Sequence, residues 1–211
     1  MRLRVGSRTL FRGLAPWIFV ALIAIAGCAA PQRFSAFTGS PLAGRPRVAL
    51  LPLENLSGNV DAADALTHVF FTELAATQLC ELADMGDVQR AMRRIRIRST
   101  GSPTSEQVRQ LGDSLRVKYV LCGTLLEQGS LSTSDGNVPA LSAAFKLLEV
   151  PLARVIWGKM LTLTGEDHAT VFGWGLVRDP NRLASELAVD LIKDLRRLAV
   201  EPKPEKERGN K

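Results

Sequence analysis

Three patterns in the chain point to an α/β (α+β) fold built on a mixed β-sheet. Arg47-Val-Ala-Leu-Leu-Pro-Leu is a continuous apolar run, as a strand covered on both faces requires. Between it and a second strong strand, Val117 to Leu126, the apolar residues recur at helical spacing in three stretches, the pattern of helices with one buried face. Beyond residue 140 two apolar runs are joined by a short link, the mark of an antiparallel hairpin. The order β-α-β-α-α-β favours parallel pairing with right-handed crossovers in the first half. The hairpin then continues the sheet, and a C-terminal helix packs on it.

Residues 1–27 read as an export signal. Arg2, Arg4, Arg8 and Arg12 precede an apolar run from Trp17 to Ala26, which is too short for the roughly twenty residues that span a bilayer. Ile25-Ala26-Gly27-Cys28 resembles the bacterial lipobox, cut between Gly27 and Cys28. The resemblance implies a diacylglyceryl and acyl lipid on Cys28; the plainer alternatives are an ordinary cleaved signal or an uncleaved inner-membrane anchor. Several acyl chains on one cysteine hold a protein stably, whereas one holds it reversibly. Ala29 and Ala30 follow, without the Asp that retains enteric lipoproteins at the inner membrane, so the periplasmic face of the outer membrane is the expected location.

Removing the signal leaves roughly 180 residues, enough for one domain with its own core. It also lowers the formal charge from +6 to about +2, which with export removes the compositional case for nucleic-acid binding. No cofactor or metal is expected, since no C-x-x-C or Cys/His ligand spacing occurs. Cys80 and Cys122 could be two buried thiols or a periplasmic disulfide, because spacing alone does not show whether their Cα atoms approach within about 7 Å.

Residues 28–46 form a tether rich in Ala, Pro, Gly and Ser, whose reach is at most about 60 Å. The domain proper spans 47–200. After the first strand, Asn55-Leu-Ser-Gly-Asn reads as a turn. Asp61 is placed to cap a helix to about Gln78 with Ala62, Leu66, Val69, Phe70 and Leu74 on one face. Cys80-Glu-Leu-Ala-Asp is a short strand, and Asp87 is expected to cap a helix carrying Val88, Ala91, Met92 and Ile95. Thr104 and Gln107 have capping-box spacing before a helix presenting Val108, Leu111 and Leu115. Gly129 to Pro139 reads as a polar turn between Val117–Leu126 and the hairpin strands Leu141–Val150 and Val155–Leu163. Asp179 and Pro180 open the last helix, with Leu183, Leu187, Leu191, Ile192, Leu195 and Leu198 as its stripe. The tail 201–211 alternates Lys, Glu and Pro, a composition that disfavours order.

Val48-Ala-Leu-Leu-Pro-Leu-Glu-Asn-Leu-Ser-Gly, the step Leu111-Gly-Asp-Ser-Leu-Arg-Val-Lys-Tyr-Val-Leu-Cys-Gly-Thr-Leu, and Leu148-Glu-Val-Pro-Leu-Ala-Arg-Val-Ile-Trp157 together resemble the CsgG-like, LpoB-like and PelC-like envelope lipoproteins, whose domain is shared with TolB N-terminal regions. The resemblance implies an α/β domain without catalytic activity that binds other envelope proteins, with ring formation as a homo-oligomer known among such proteins. The residues agree on the first point. His68 and His168 have no neighbouring nucleophile or carboxylate arrangement in the sequence, and only a convergence of Glu54, Asp84 and His68 would revive an enzyme.

Two features are candidate partner or membrane faces. Arg90, Arg93, Arg94, Arg96 and Arg98 are either cations gathered at a helix C-terminus or a patch for anionic lipid, polysaccharide or protein. Trp174 lies in an apolar loop, Val171 to Val177, which either packs inward or meets a subunit or the membrane. The links 129–139 and 151–154 are too short for pore-forming hairpins with spans of about ten residues. The tether is too short for an LpoB-like activator reaching a peptidoglycan synthase, which remains the alternative. A membrane-proximal accessory subunit for assembly or export is the leading expectation.

Overall fold

The first strand is apolar at every position because both of its faces are covered. In the computed structural model, which describes residues 41–133, 136–167 and 175–199, β1 (Arg47–Leu50) sits inside a mixed sheet. Val48 and Leu50 face one core cluster and Ala49 and Leu51 the other, as the period-two geometry of a strand requires. The other elements are β2 (Glu54–Asn55), α1 (Ala62–Thr77), β3 (Glu81–Leu82), α2 (Met85–Ile95), α3 (Ser105–Leu115), β4 (Tyr119–Thr133), β5 (Gly136–Glu149), β6 (Arg154–Thr164) and α4 (Pro180–Arg196). Strand order is β3-β1-β4-β5-β6, with β2 extending β1 along β4. β1 pairs in parallel with β3 and β4, and the β4-β5-β6 ladder is antiparallel.

Helices α1 and α4 cover one face and α2 and α3 the other. On the first face Phe70 stacks on Phe145 with ring centroids 4.6 Å apart, and Leu183, Leu187 and Leu191 of α4 are fully buried. On the second, Val88 and Leu111 meet Val120 and Cys122. Gly112 lets α3 approach closely: a Cβ there would lie 2.1 Å from Val150 Cγ1. Thr67, buried on α1, donates to Ala63 O at 2.6 Å and accepts from Leu53 N at 3.0 Å, which satisfies a backbone donor that Pro52 leaves outside the ladder.

Two boundaries differ from expectation. Asp84, not Asp87, caps α2: Asp84 has extended ψ of 135° and accepts from Asp87 N, so Asp87 falls in the first turn. Asp61 is the N-cap of α1, and Gln78 its C-cap, as expected, although the Asp61 side chain makes no capping bond. Gly129 to Pro139 is not a loose turn but the paired ends of β4 and β5, with Leu131 opposite Val138 and Thr133 opposite Gly136. Gly136 adopts φ +109°, and Thr133 Oγ1 donates to its carbonyl at 2.9 Å. A polar, solvent-facing ladder of this kind reads like a turn in sequence. The 55–59 turn is as expected: Asn55 Oδ1 accepts from Ser57 N at 3.0 Å while its Nδ2 donates to Asn59 O at 2.6 Å. The described residues belong to one compact unit, and none of their helices is long and apolar enough to cross a membrane.

Candidate functional site

The groups that would make a catalytic centre are apart. His68 is exposed on α1, Glu54 accepts from Ser99 Oγ at 2.9 Å, and Asp84 is engaged as a helix cap. Among the described residues no three His, Cys, Asp or Glu side chains gather as a metal site. A hollow of about 240 Å³ lies where Asn59, Gln128 and Ser130 meet Pro180; Asn59 Nδ2 donates to Gln128 Oε1 across it at 2.8 Å. Its lining holds no ionisable side chain, so it supplies no acid, and no base that would activate the Ser130 hydroxyl.

Cys80 and Cys122 are free and buried. They belong to clusters on opposite faces of the sheet, a placement that keeps them from bonding to each other. Burial pushes each thiol up to about 11, against the small lowering by Arg45 at Cys80 and Lys146 at Cys122. Because the folded value lies above the unfolded one, the thiols favour the folded state below about pH 9, and that contribution disappears as pH rises toward 11. Both are therefore expected to resist alkylation at pH 8 in the native protein and to react within minutes in denaturant; rapid native labelling of two thiols per chain, read by mass spectrometry, would contradict this.

All five arginines of the 90–98 run are exposed. Arg90 pairs with Asp87, whereas Arg93, Arg94, Arg96 and Arg98 have no ion pair among the described residues. The run does not form one face: Arg90, Arg93 and Arg94 lie on α2, Arg96 is its left-handed C-cap with φ 61°, and Arg98 follows in the link to α3. Trp174, His168, Gly27 and Cys28 lie outside the described residues.

The most distinctive surface was not singled out by sequence. β6 is the outer strand on its side of the sheet and, among the described residues, pairs with β5 alone. It is eleven residues long, has no proline, and carries two charges, Arg154 at its first position and Lys159 within it. Lys159 turns toward α4 to meet Asp194 at 3.6 Å, and Trp157 Nε1 donates to the same carboxylate at 3.1 Å. α4 thus fills one face of β6. On the other, α2 and α3 cover the β1 and β4 side, leaving Val155 49 % and Met160 63 % exposed. A long edge strand with no proline and, past its first residue, a single charge that is turned toward a helix is a template for pairing. Its signal in the sequence is the alternation Val155, Gly158, Met160, Thr162 against Trp157, Lys159, Leu161, Leu163; which half faces water depends on where the helices stop.

No family model and no curated protein matches the chain. Solved structures do. The PelC dodecamer from Paraburkholderia phytofirmans is similar with a TM-score of 0.53 and 21% identity over 75% of this chain and 93% of that one. Lipoprotein GNA1162 from Neisseria meningitidis has a TM-score of 0.51 and 13% identity over 72% and 99%. The LpoB C-terminal domain from Salmonella enterica reaches 0.42 and 14% over 57% and 84%, too distant to support an argument. At these identities the first two likenesses establish a shared fold: the chain has the α/β fold seen in PelC and in lipoprotein GNA1162.

Proposed function

We propose that this protein is a lipid-anchored periplasmic subunit of the outer membrane that works by assembly, without catalysis, as an accessory to envelope construction or export. The observation that carries the reading is the edge and half-face of β6. Among the described residues only β5 pairs with it, and with Val155 and Met160 exposed it is suited to receive another protein surface, a second copy being the simplest partner. The similar PelC structure is a dodecamer, and Ile25-Ala-Gly-Cys28 supports the anchor.

The test is a pair of substitutions on the exposed positions, Val155→Lys and Met160→Glu. Neither side chain is needed by the core, so circular dichroism and melting should stay near wild type, within about 1 kcal/mol. The wild-type multimer should fall to monomer in the variant, since an inward-facing or edge charge blocks strand pairing and costs a buried unpaired ion at the interface. An unchanged mass in the folded variant would place assembly on another surface and sink the β6 reading.

A further inference from the structure

The end of the domain from which the tether leaves is basic, and its charges come from unrelated parts of the chain. Register puts one row across the sheet: Arg47 opposite Glu81, Val48 opposite Tyr119, Tyr119 opposite Glu149, and Glu149 opposite Arg154. Lys118 N donates to Arg47 O at 3.0 Å at the same end. α3 delivers its C-cap Arg116 there, two residues before Lys118. α4 ends there too, because Leu42 N donates to Leu198 O at 3.2 Å, bringing Arg196 and Arg197 beside the incoming chain at Arg45.

Arg45, Arg116, Lys118, Arg154, Arg196 and Arg197 are all exposed. Within the sheet row the carboxylates are Glu81 and Glu149, each already paired, with Arg47 at 3.5 Å and Arg154 at 2.7 Å. Asp194 pairs with Arg197 at 2.9 Å, Asp113 stands one turn above Arg116, and Arg45, Arg116, Lys118 and Arg196 have no ion pair among the described residues. The opposite ends of the helices begin at Asp61, Asp84 and Asp179. The helix dipole accounts for Arg116 and Arg197 at C-termini. It gives no reason for Arg45, Lys118 or Arg154, which stand in coil and at strand starts. At this pole the β5–β6 turn also holds Leu152 outward, 61 % exposed beside Arg154 and the half-exposed Val155. An apolar tip ringed by cations suits the boundary between headgroups and acyl chains.

We infer that this pole is a membrane-contacting face that rests on anionic phospholipid, with the cations on headgroup phosphates and Leu152 at the level of the glycerol backbone. The inference builds on the lipid-anchor reading. About 13 residues separate Cys28 from Pro41, the first described residue, a span of at most about 45 Å. That tether emerges at the basic end, so the face nearest the membrane is the one with matching charge. Each Lys or Arg near an anionic surface adds to the attraction, so the face would fix the orientation of the domain as well as its height.

The test uses the unlipidated chain from residue 28 with Cys28→Ser, so that binding through acyl chains is removed, together with cell fractionation of the same variant to read the anchor separately. Flotation with vesicles of phosphatidylcholine alone or with about one-third phosphatidylglycerol should show binding to the anionic vesicles only, lost at high salt. The triple variant Arg116→Asn, Lys118→Gln, Arg196→Gln should bind at least tenfold more weakly. A control that removes equal charge elsewhere, Arg90→Gln, Arg109→Gln, Arg182→Gln, should bind within about twofold of the parent. Circular dichroism confirms that both triples are folded. Equal loss in the two triples, or no preference for anionic vesicles, would overturn the inference. So would a pole triple that loses multimer mass in solution without vesicle binding ever being seen, which would give the face to a second copy. Release of the Cys28→Ser protein from cell membranes is read after a high-salt wash, which removes binding through the basic pole and so reports on the anchor alone; retention after that wash would overturn the anchor reading without touching the vesicle result.

Discussion

Leu187→Asp is expected to abolish the folded state. Leu187 has no exposed surface at the middle of α4, in the cluster that joins α1, α4 and the β4-β5-β6 ladder. The substitution removes an aliphatic side chain and leaves a carboxylate with no cation in reach among the described residues of that cluster. A buried unpaired charge and the lost packing together exceed about 4 kcal/mol, most of the 5–15 kcal/mol that holds a typical domain folded. Circular dichroism and thermal melting of the purified variant check it. A cooperative melt near the wild-type temperature would mean that α4 does not pack on this sheet.

Phe70→Ala should lower stability by about 3–5 kcal/mol while leaving the fold recognisable. Phe70 is fully buried on α1 and stacks on Phe145 of β5 at 4.6 Å, so truncation opens a cavity at the point where helix layer and sheet meet. The side chains around it come from α1, β4, β5 and α4, rigid elements that cannot all collapse inward. Denaturant titration reads the loss as a lower midpoint at unchanged slope. A change below about 1 kcal/mol would show that this core relaxes freely and is loosely packed.

The layers themselves were legible because the periodicities agree with burial. The unbroken run at Val48–Leu51 is a strand covered on both sides, and the stripes Leu66, Phe70, Leu74 and Leu183, Leu187, Leu191 are both buried against it. Local end signals worked where the side chain had one geometry open to it. Thr104 and Gln107 form the reciprocal box, with bonds of 3.3 and 2.9 Å, and Asp179 caps α4 by accepting from Asn181 N at 2.9 Å. They failed where two carboxylates competed, as at Asp84 and Asp87: β3 ends at Leu82, which leaves Asp84 extended and makes it the cap. The polar arms of the β4–β5 hairpin were illegible because their partners across the strand, Leu131 with Val138 and Ser132 with Asn137, are set by register and not by composition.

The interaction surfaces were legible only in part. The arginines of 90–98 stand out in sequence, yet the chain turns at Arg96 and spreads them over a helix face, its cap and a link. The basic pole is the reverse case. Arg45, Lys118, Arg154 and Arg197 are scattered over some 150 positions, and only the register of the sheet and the Leu42 to Leu198 bond bring them to one end. β6 becomes an edge because β3 and β4 take the two sides of β1, so the chain builds outward through β5. None of these placements has a local signature.

Assembly through β6, which among the described residues pairs with β5 alone, is the central claim. The measurement that tests it most directly is the mass in solution of the chain from residue 28 with Cys28→Ser, by light scattering with and without mild detergent. A discrete multimer that persists in detergent is the predicted result. A clean monomer at every accessible concentration would contradict it and leave a tethered regulator of another envelope protein as the reading to pursue.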